Sequence, residues 1–342
     1  MRTATTVELS RDARATLDFA LEAEKLGLDV CWVAEAWGSD APSALGYLAA
    51  RTERMLIGSA VIQLGTRTPV AIAQTALTLA ELSQGRFLLG LGASGPQVME
   101  GLHGVPFDRP LTRMRETVDI IRRAWAGEKI SYSGETVRIP LPGEARPMRL
   151  STAPNPGIPL YLAALSPRML ELTGRVADGW LGTSFVPEGA GAYLTHLDAG
   201  LAAAGRTRAD LDVCQGAEVA IFDDEEPMRA HLQSRRAELA FSIGGMGTAT
   251  TNFYNAAYAR QGWSDVTGEI WRRWRSGDRA GATALVTDEM VLATTLIGTE
   301  PMVRDRLRVW RDAGVTTVRL YPAGDTLEER LTTLGRALSV MP

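Results

Sequence analysis

Apolar and polar positions along this chain alternate between two periods. From Arg11 to Leu26, Ala13, Leu17, Ala20, Leu21 and Ala23 recur near one face of a helix, and Gly27 stops it. Val30–Ala34 follows as a run of strand length, apolar on both faces. A helix near Pro42–Arg51, an apolar run at Met55–Ile62 and a helix over Pro69–Leu82 continue the rhythm. Thr68 stands where an N-cap would, with Pro69 at the first helical position. Arg86–Leu91 is the next strand, and Met114–Ala126 reads as an amphipathic helix. Later come strand Leu160–Ala164, helix Pro167–Val176, strand Asp178–Gly182, a helix near Ala190–Ala204 and strand Asp212–Phe222. Helix Pro301–Ala313, strand Thr316–Tyr321 and helix Leu327–Val340 end the chain.

Runs apolar on both faces and separated by helices read as buried parallel strands in βαβ units. With Thr5–Leu9 as a first strand, short and atypically polar, the count reaches eight. Eight βα units predict an α/β chain folded as a (β/α)8 TIM barrel, one domain over 1–342. Such a barrel takes ~250 residues. The surplus falls near 127–158, which holds a candidate hairpin (ISYSGETVRI), and near 223–297; both are expected as rim insertions.

Composition narrows the function. Hydrophobic residues at 45% and charged residues at 22% exclude a disordered chain. Thirty-six basic against 40 acidic residues give −4, so no nucleic-acid partner is expected, and no polybasic run marks a membrane surface. No apolar stretch approaches the ~20 residues of a membrane span. The first residues, MRTATTVELSRDARA, lack the apolar core of a signal peptide, which makes a cytoplasmic protein the expectation. Two cysteines cannot build a disulfide framework and three scattered histidines cannot build a His-rich metal site, so no metal is expected. Cys31 and Cys214 fall in strands and read as small buried apolar residues. His196 and His231 fall in helices and read as surface, and His103 as a loop residue. The Trp271–Arg275 run, WRRWR, reads as a helix face with cation–π packing or as a dimer contact.

Two motifs carry candidate chemistry. Gly90-Leu91-Gly92-Ala93-Ser94-Gly95 matches GxGxxG after a strand. A dinucleotide fingerprint would sit in the first βα unit, with an acid ending a strand ~20 residues on. Here the motif follows the fourth strand and a helix lies downstream. It therefore reads as a turn, or as a loop on the C-terminal rim of a barrel strand. Ser166-Pro167-Arg168 opens a helix and reads either as a plain cap or as an anion site built from free N–H groups, with Arg168 adding charge. Glu35 and Trp37 follow the second strand on the same rim. Glu35 is a candidate proton relay or orienting group, and Trp37 a candidate wall for a ligand ring.

Six segments occur in a telling order: AEAWGSDAP (Ala34–Pro42), IGSAVIQLGTRTP (Ile57–Pro69), LSQGRFLLGLGASGPQVMEGLHG (Leu82–Gly104), VADGWLG (Val176–Gly182), IGGMGTATTNFYN (Ile243–Asn255) and IGTEPMVRDRL (Ile297–Leu307). Together they resemble the luciferase-like superfamily. Within it they are most similar to the actinobacterial oxidoreductases that use the deazaflavin coenzyme F420. The resemblance runs from Leu17 to the end.

It implies hydride transfer between F420 and a small molecule or modified peptide with an activated C=C, C=N or C=O, in secondary metabolism. It also implies a homodimer. The cofactor residues it implies are Ser59, Ala60 and Val61, with a non-proline cis bond between Ala60 and Val61 behind the ring. The loop Gly92, Ala93, Ser94, Gly95, Pro96 and Gln97 would pass beside the cofactor. Ala164, Leu165, Ser166, Arg168 and Met169 would meet its phosphate. An FMN-dependent monooxygenase and a non-catalytic flavin-binding partner subunit are the alternatives on the same barrel. The family's sugar-phosphate dehydrogenases place a His after strand two and a Glu after strand four. Ala36-Trp37 and Gly95-Pro96-Gln97 stand there instead, so that substrate is not implied.

Overall fold

Val30–Val33 has all four residues buried, as a strand flanked by neighbours and covered on both faces must. It is β2 of eight parallel strands: β1 Arg2–Val7, β3 Leu56–Ser59, β4 Phe87–Gly92, β5 Leu160–Ala163, β6 Gly179–Leu181, β7 Asp212–Ile221 and β8 Thr317–Pro322. Each pairs with the next, and β8 pairs with β1, so the sheet closes. The computed structural model describes residues 1–9, 12–247 and 252–342. Arg11 of the first expected helix and Thr248–Thr251 of the Ile243–Asn255 motif lie outside the described residues.

One helix follows each strand: α1 Ala13–Lys25, α2 Ala41–Arg51, α3 Pro69–Leu82, α4 Pro110–Trp125, α5 Pro167–Val176, α6 Gly191–Ala203, α7 Glu300–Asp312 and α8 Leu327–Ser339. The eight-unit barrel read from the hydrophobic pattern is the fold. Thr68 caps α3 as its position predicts, its side chain accepting from the Ala71 N–H. The main core lies between strands and helices, and a second cluster fills the barrel itself. Cys31 and Cys214 are buried, and burial pushes both thiols up to about 12. No helix among the described residues is long and apolar enough to cross a membrane.

Two expectations need correcting. The first strand starts earlier than Thr5–Leu9. It begins at Arg2 and runs for six residues. Its threonines hid it, because Thr3 and Thr5 find their partners far along the chain. Thr5 Oγ1 donates to the Leu320 carbonyl at 2.7 Å, and Thr3 donates to Asp29 through both N–H and hydroxyl at 2.8 Å. The 127–158 insertion is also not at the C-terminal rim, since it joins the end of α4 to the start of β5. Its hairpin, Tyr132–Ser133 with Arg138–Ile139, rides on α4. There the buried Glu116 carboxylate accepts from the N–H groups of Glu135, Thr136 and Val137 and from the Thr136 hydroxyl. Only the 223–297 insertion sits beyond the C-terminal ends of the strands, where a strand-to-helix connection must lie. It packs helices Glu225–Gly244, Ser264–Arg275 and shorter pieces around their own hydrophobic cluster.

Candidate active site

Alternation along each strand decides what fills the barrel. Ala4, Val30, Trp32, Leu88, Tyr161, Leu181 and Cys214 form the interior cluster. Trp32 reaches across to β3, where a side chain on Gly58 would overlap its ring. It meets Tyr161 edge-on, ring centroids 5.0 Å apart. At the N-terminal end, Tyr161 donates to Asp212 at 2.9 Å, and Arg2 pairs with the same carboxylate at 2.6 Å. The next inward position on each odd-numbered strand is small: Thr6 after Ala4, Ala60 after Gly58, Ala163 after Tyr161 and Gly216 after Cys214. Ala60, Val61 and Ala163 are only partly buried. On the β3–β5 side the stack of large side chains therefore stops short of the strand ends and leaves a cup at the C-terminal mouth, while Tyr321 covers Gly216 on the β7–β8 side.

The wall of that cup on the β3–β4 side is set by two glycines. The Ala60–Val61 peptide is cis, as the resemblance implies. Val61 turns its side chain toward β4, and a Cβ at Gly92 would overlap Val61 Cγ2. A Cβ at Gly90 would likewise overlap the Ser59 carbonyl. The glycine-rich motif thus serves close strand packing, and the dinucleotide reading falls with the barrel. Ser59 sits inside this wall: its hydroxyl donates to the Gly90 carbonyl at 2.9 Å and accepts from the Gly90 N–H at 3.0 Å. It offers the cup no polar group. Beyond β4 the chain passes Ser94 in the left-handed region, φ 62°, and Gly95 caps the short turn Pro96–Met99. A Cβ at Gly95 would meet nothing within 4 Å.

Ser166 occupies the cap position of α5, but its side chain makes no cap hydrogen bond. The hydroxyl and the first N–H groups of α5 are left to a ligand or to water. Arg168 is exposed on the first turn. Arg260, from the insertion, donates to the Leu165 carbonyl at 2.8 Å and brings a second cation to the same spot. Nothing in the sequence pointed to it, because it lies 95 residues away. Ala164 and Met169 are buried in the core between strands and helices.

On the opposite rim, Glu35 is fully engaged. Arg67 grips it, Nη1 to Oε1 at 2.6 Å and Nη2 to Oε2 at 3.1 Å, and the Ala41 N–H donates to Oε2 at 2.9 Å. Gln63 ties down the same loop, donating to the carbonyls of Glu35 and Ala36. Trp37 is 66% exposed at the loop tip. Glu8, after β1, is an exposed rim carboxylate that periodicity did not single out.

The long strand β7 lifts Glu218 to the mouth. There His231 Nε2 lies 2.9 Å from Oε1, and Arg235 Nε 2.5 Å from Oε2. His231, expected on the surface, is half-buried against this carboxylate and Phe222. His196 pairs with Glu171, and His103 is exposed. In the WRRWR run, Trp274 takes a cation–π contact from Arg279 at 4.4 Å. Gln261 pins the insertion to the loop after β6, donating to Ser184 and Ala257 carbonyls and accepting from the Val186 N–H.

Comparison with known proteins fits this geometry. The chain is 41% identical over 303 residues to a protein of Mycobacterium tuberculosis named as a coenzyme F420-dependent oxidoreductase, covering 86% of each. It is 29% identical over 318 residues to the 5,10-methylenetetrahydromethanopterin reductase of Archaeoglobus fulgidus, covering 92% of each. The F420-dependent tetrahydromethanopterin reductase of Methanopyrus kandleri shares the fold with TM-score 0.79 at 22% identity, over 98% of each chain. The family model described as luciferase-like monooxygenase matches residues 1–317, and the chain belongs to that family.

Proposed function

We propose that this chain is an F420-dependent oxidoreductase that moves a hydride between the deazaflavin and an organic substrate carrying an activated C=C, C=N or C=O. One observation carries the reading: the cup floored by small residues opens beside the uncapped start of α5. A flat ring needs an apolar backing and a shallow floor, and an anionic tail needs free N–H groups and cations. Val61, Ala60 and Ala163 fit the first need. Ser166, Arg168 and Arg260 fit the second, and the open space at Gly95 lets backbone pass close by.

Bound F420 supplies a carbon that gives or takes a hydride. The chain's own work is to orient, to exclude water and to hold the rim in place. Val61 blocks one face of the cup and leaves the other open to substrate. The Glu35–Arg67 pair fixes the loop that carries Trp37, a positioning role. The insertion roofs the mouth through β7 and Gln261. In this reading the protein works in the cytoplasm as a homodimer.

Titrating the apoprotein with F420 and with FMN tests the assignment. Binding of F420 at least tenfold tighter than FMN is expected. Equal affinity, or preference for FMN, overturns it in favour of a flavin-dependent monooxygenase.

A further inference from the structure

Arg319 is an inward residue of β8, in the barrel rather than on its surface, and only 7% exposed. Its register partners are Gly216 on β7 and Ala4 on β1, both small, and the Tyr321 side chain lies over Gly216. Arg319 Nη2 donates to the Gly182 carbonyl, just past the end of β6. Nε has no partner, and no carboxylate lies within ion-pair distance of the guanidinium among the described residues. The two nearby acids on β7 are committed elsewhere. Asp212, below, takes Arg2, Tyr161 and Thr317, while Glu218, above, takes His231 and Arg235. Thr6 Oγ1, on the adjoining strand β1, is also buried without a partner.

A buried cation without an anion is costly to desolvate. Chains keep one where a ligand completes the pair. This one stands at the floor of the cup on the β6–β8 side. The wall proposed to back the ring, Val61 and Gly92, is on the opposite side, at β3 and β4. We propose that Arg319 anchors a carboxylate of the substrate, so that the enzyme takes anionic, carboxylate-bearing acceptors. The proposal rests on the cup being the reaction site and names the substrate class that site selects.

Calorimetric titration of the purified protein with trans-cinnamate and with cinnamamide tests it, with and without saturating F420. The wild type is expected to bind the acid at least tenfold more tightly than the amide in both conditions. Arg319→Met should erase that preference with no loss of melting temperature, and Arg319→Lys, which keeps the charge, should retain part of it. Equal binding of acid and amide, binding of neither, or a preference that survives in Arg319→Met overturns the proposal. So does F420 excluding the acid while Arg319→Met loses F420 affinity, because the charge then belongs to the cofactor. Failure of the wild type to bind F420 would count against the proposed activity, and the acid–amide comparison stands apart from it.

Discussion

Arg67 holds both carboxylate oxygens of Glu35, at 2.6 and 3.1 Å, and so ties the loop after β2 to the loop after β3. The Arg67 and Glu35 side chains are 24% and 9% exposed, which makes this a shielded, bidentate pair rather than a surface contact. Glu35→Gln should lower stability by about 1–3 kcal/mol in denaturant unfolding, since it leaves a half-buried guanidinium poorly matched. A positioning role predicts a raised KM with the pH profile of kcat unchanged. A shifted or flattened acid limb would return Glu35 to the role of proton relay.

At the glycine loop the backbone of Gly95 is extended, φ −139°, so a β-branched residue fits there without strain. Its side chain would project into open space at the mouth. Gly95→Val should therefore fold with an unchanged melting temperature and lose F420 binding more than tenfold. Normal binding would place the cofactor away from this loop.

The two cations near the start of α5 should act together. Arg168→Glu is expected to weaken F420 binding several-fold with little effect on melting temperature. Arg260→Glu should weaken it too, and the double variant should show the combined loss. If inorganic phosphate competes equally well against wild type and double variant, the anion site lies elsewhere.

Glu116 gives a pH signature. Burial alone would raise its carboxyl, but the Thr136 hydroxyl and three backbone N–H groups outweigh burial and hold it below the ordinary carboxylate range. With the folded-state value depressed, its stabilisation is present above the unfolded value of ~4.3 and is lost as pH falls through the lower folded value. Glu116→Gln should cost on the order of 2–3 kcal/mol at pH 7. Thermal melts should show the gap to wild type narrowing only below about pH 4. A gap constant down to pH 3 would mean the hairpin bonds are not made by the ionised form.

The architecture was legible because β2 to β6 are apolar runs bounded by helices with clear starts. Thr68-Pro69 and Ser166-Pro167 mark α3 and α5 to the residue. β1 was misplaced because Thr3 and Thr5 look solvent-facing until Asp29 and Leu320 accept their hydrogens. The cis bond between Ala60 and Val61 was accessible only through resemblance, since period-two alternation treats Ile57–Ile62 as one plain strand. Arg260, Glu218 and Arg319 had no local signal at all. Their significance comes from which strands and insertion helices the closed ring brings over one opening.

The insertion buries most of its apolar side chains, Leu232, Leu239, Ile243, Ile270 and Val291 among them, in a second cluster that meets the barrel through Val186 and Ala220. The roof and the reaction chamber are thus two packing problems that share one seam, at β7 and the loop after β6. Substitutions away from that seam reshape the roof without repacking the ring of strands, and drift has to be matched only along it. A lineage built this way can trade one acceptor for another by rewriting a few helices above an inherited chamber.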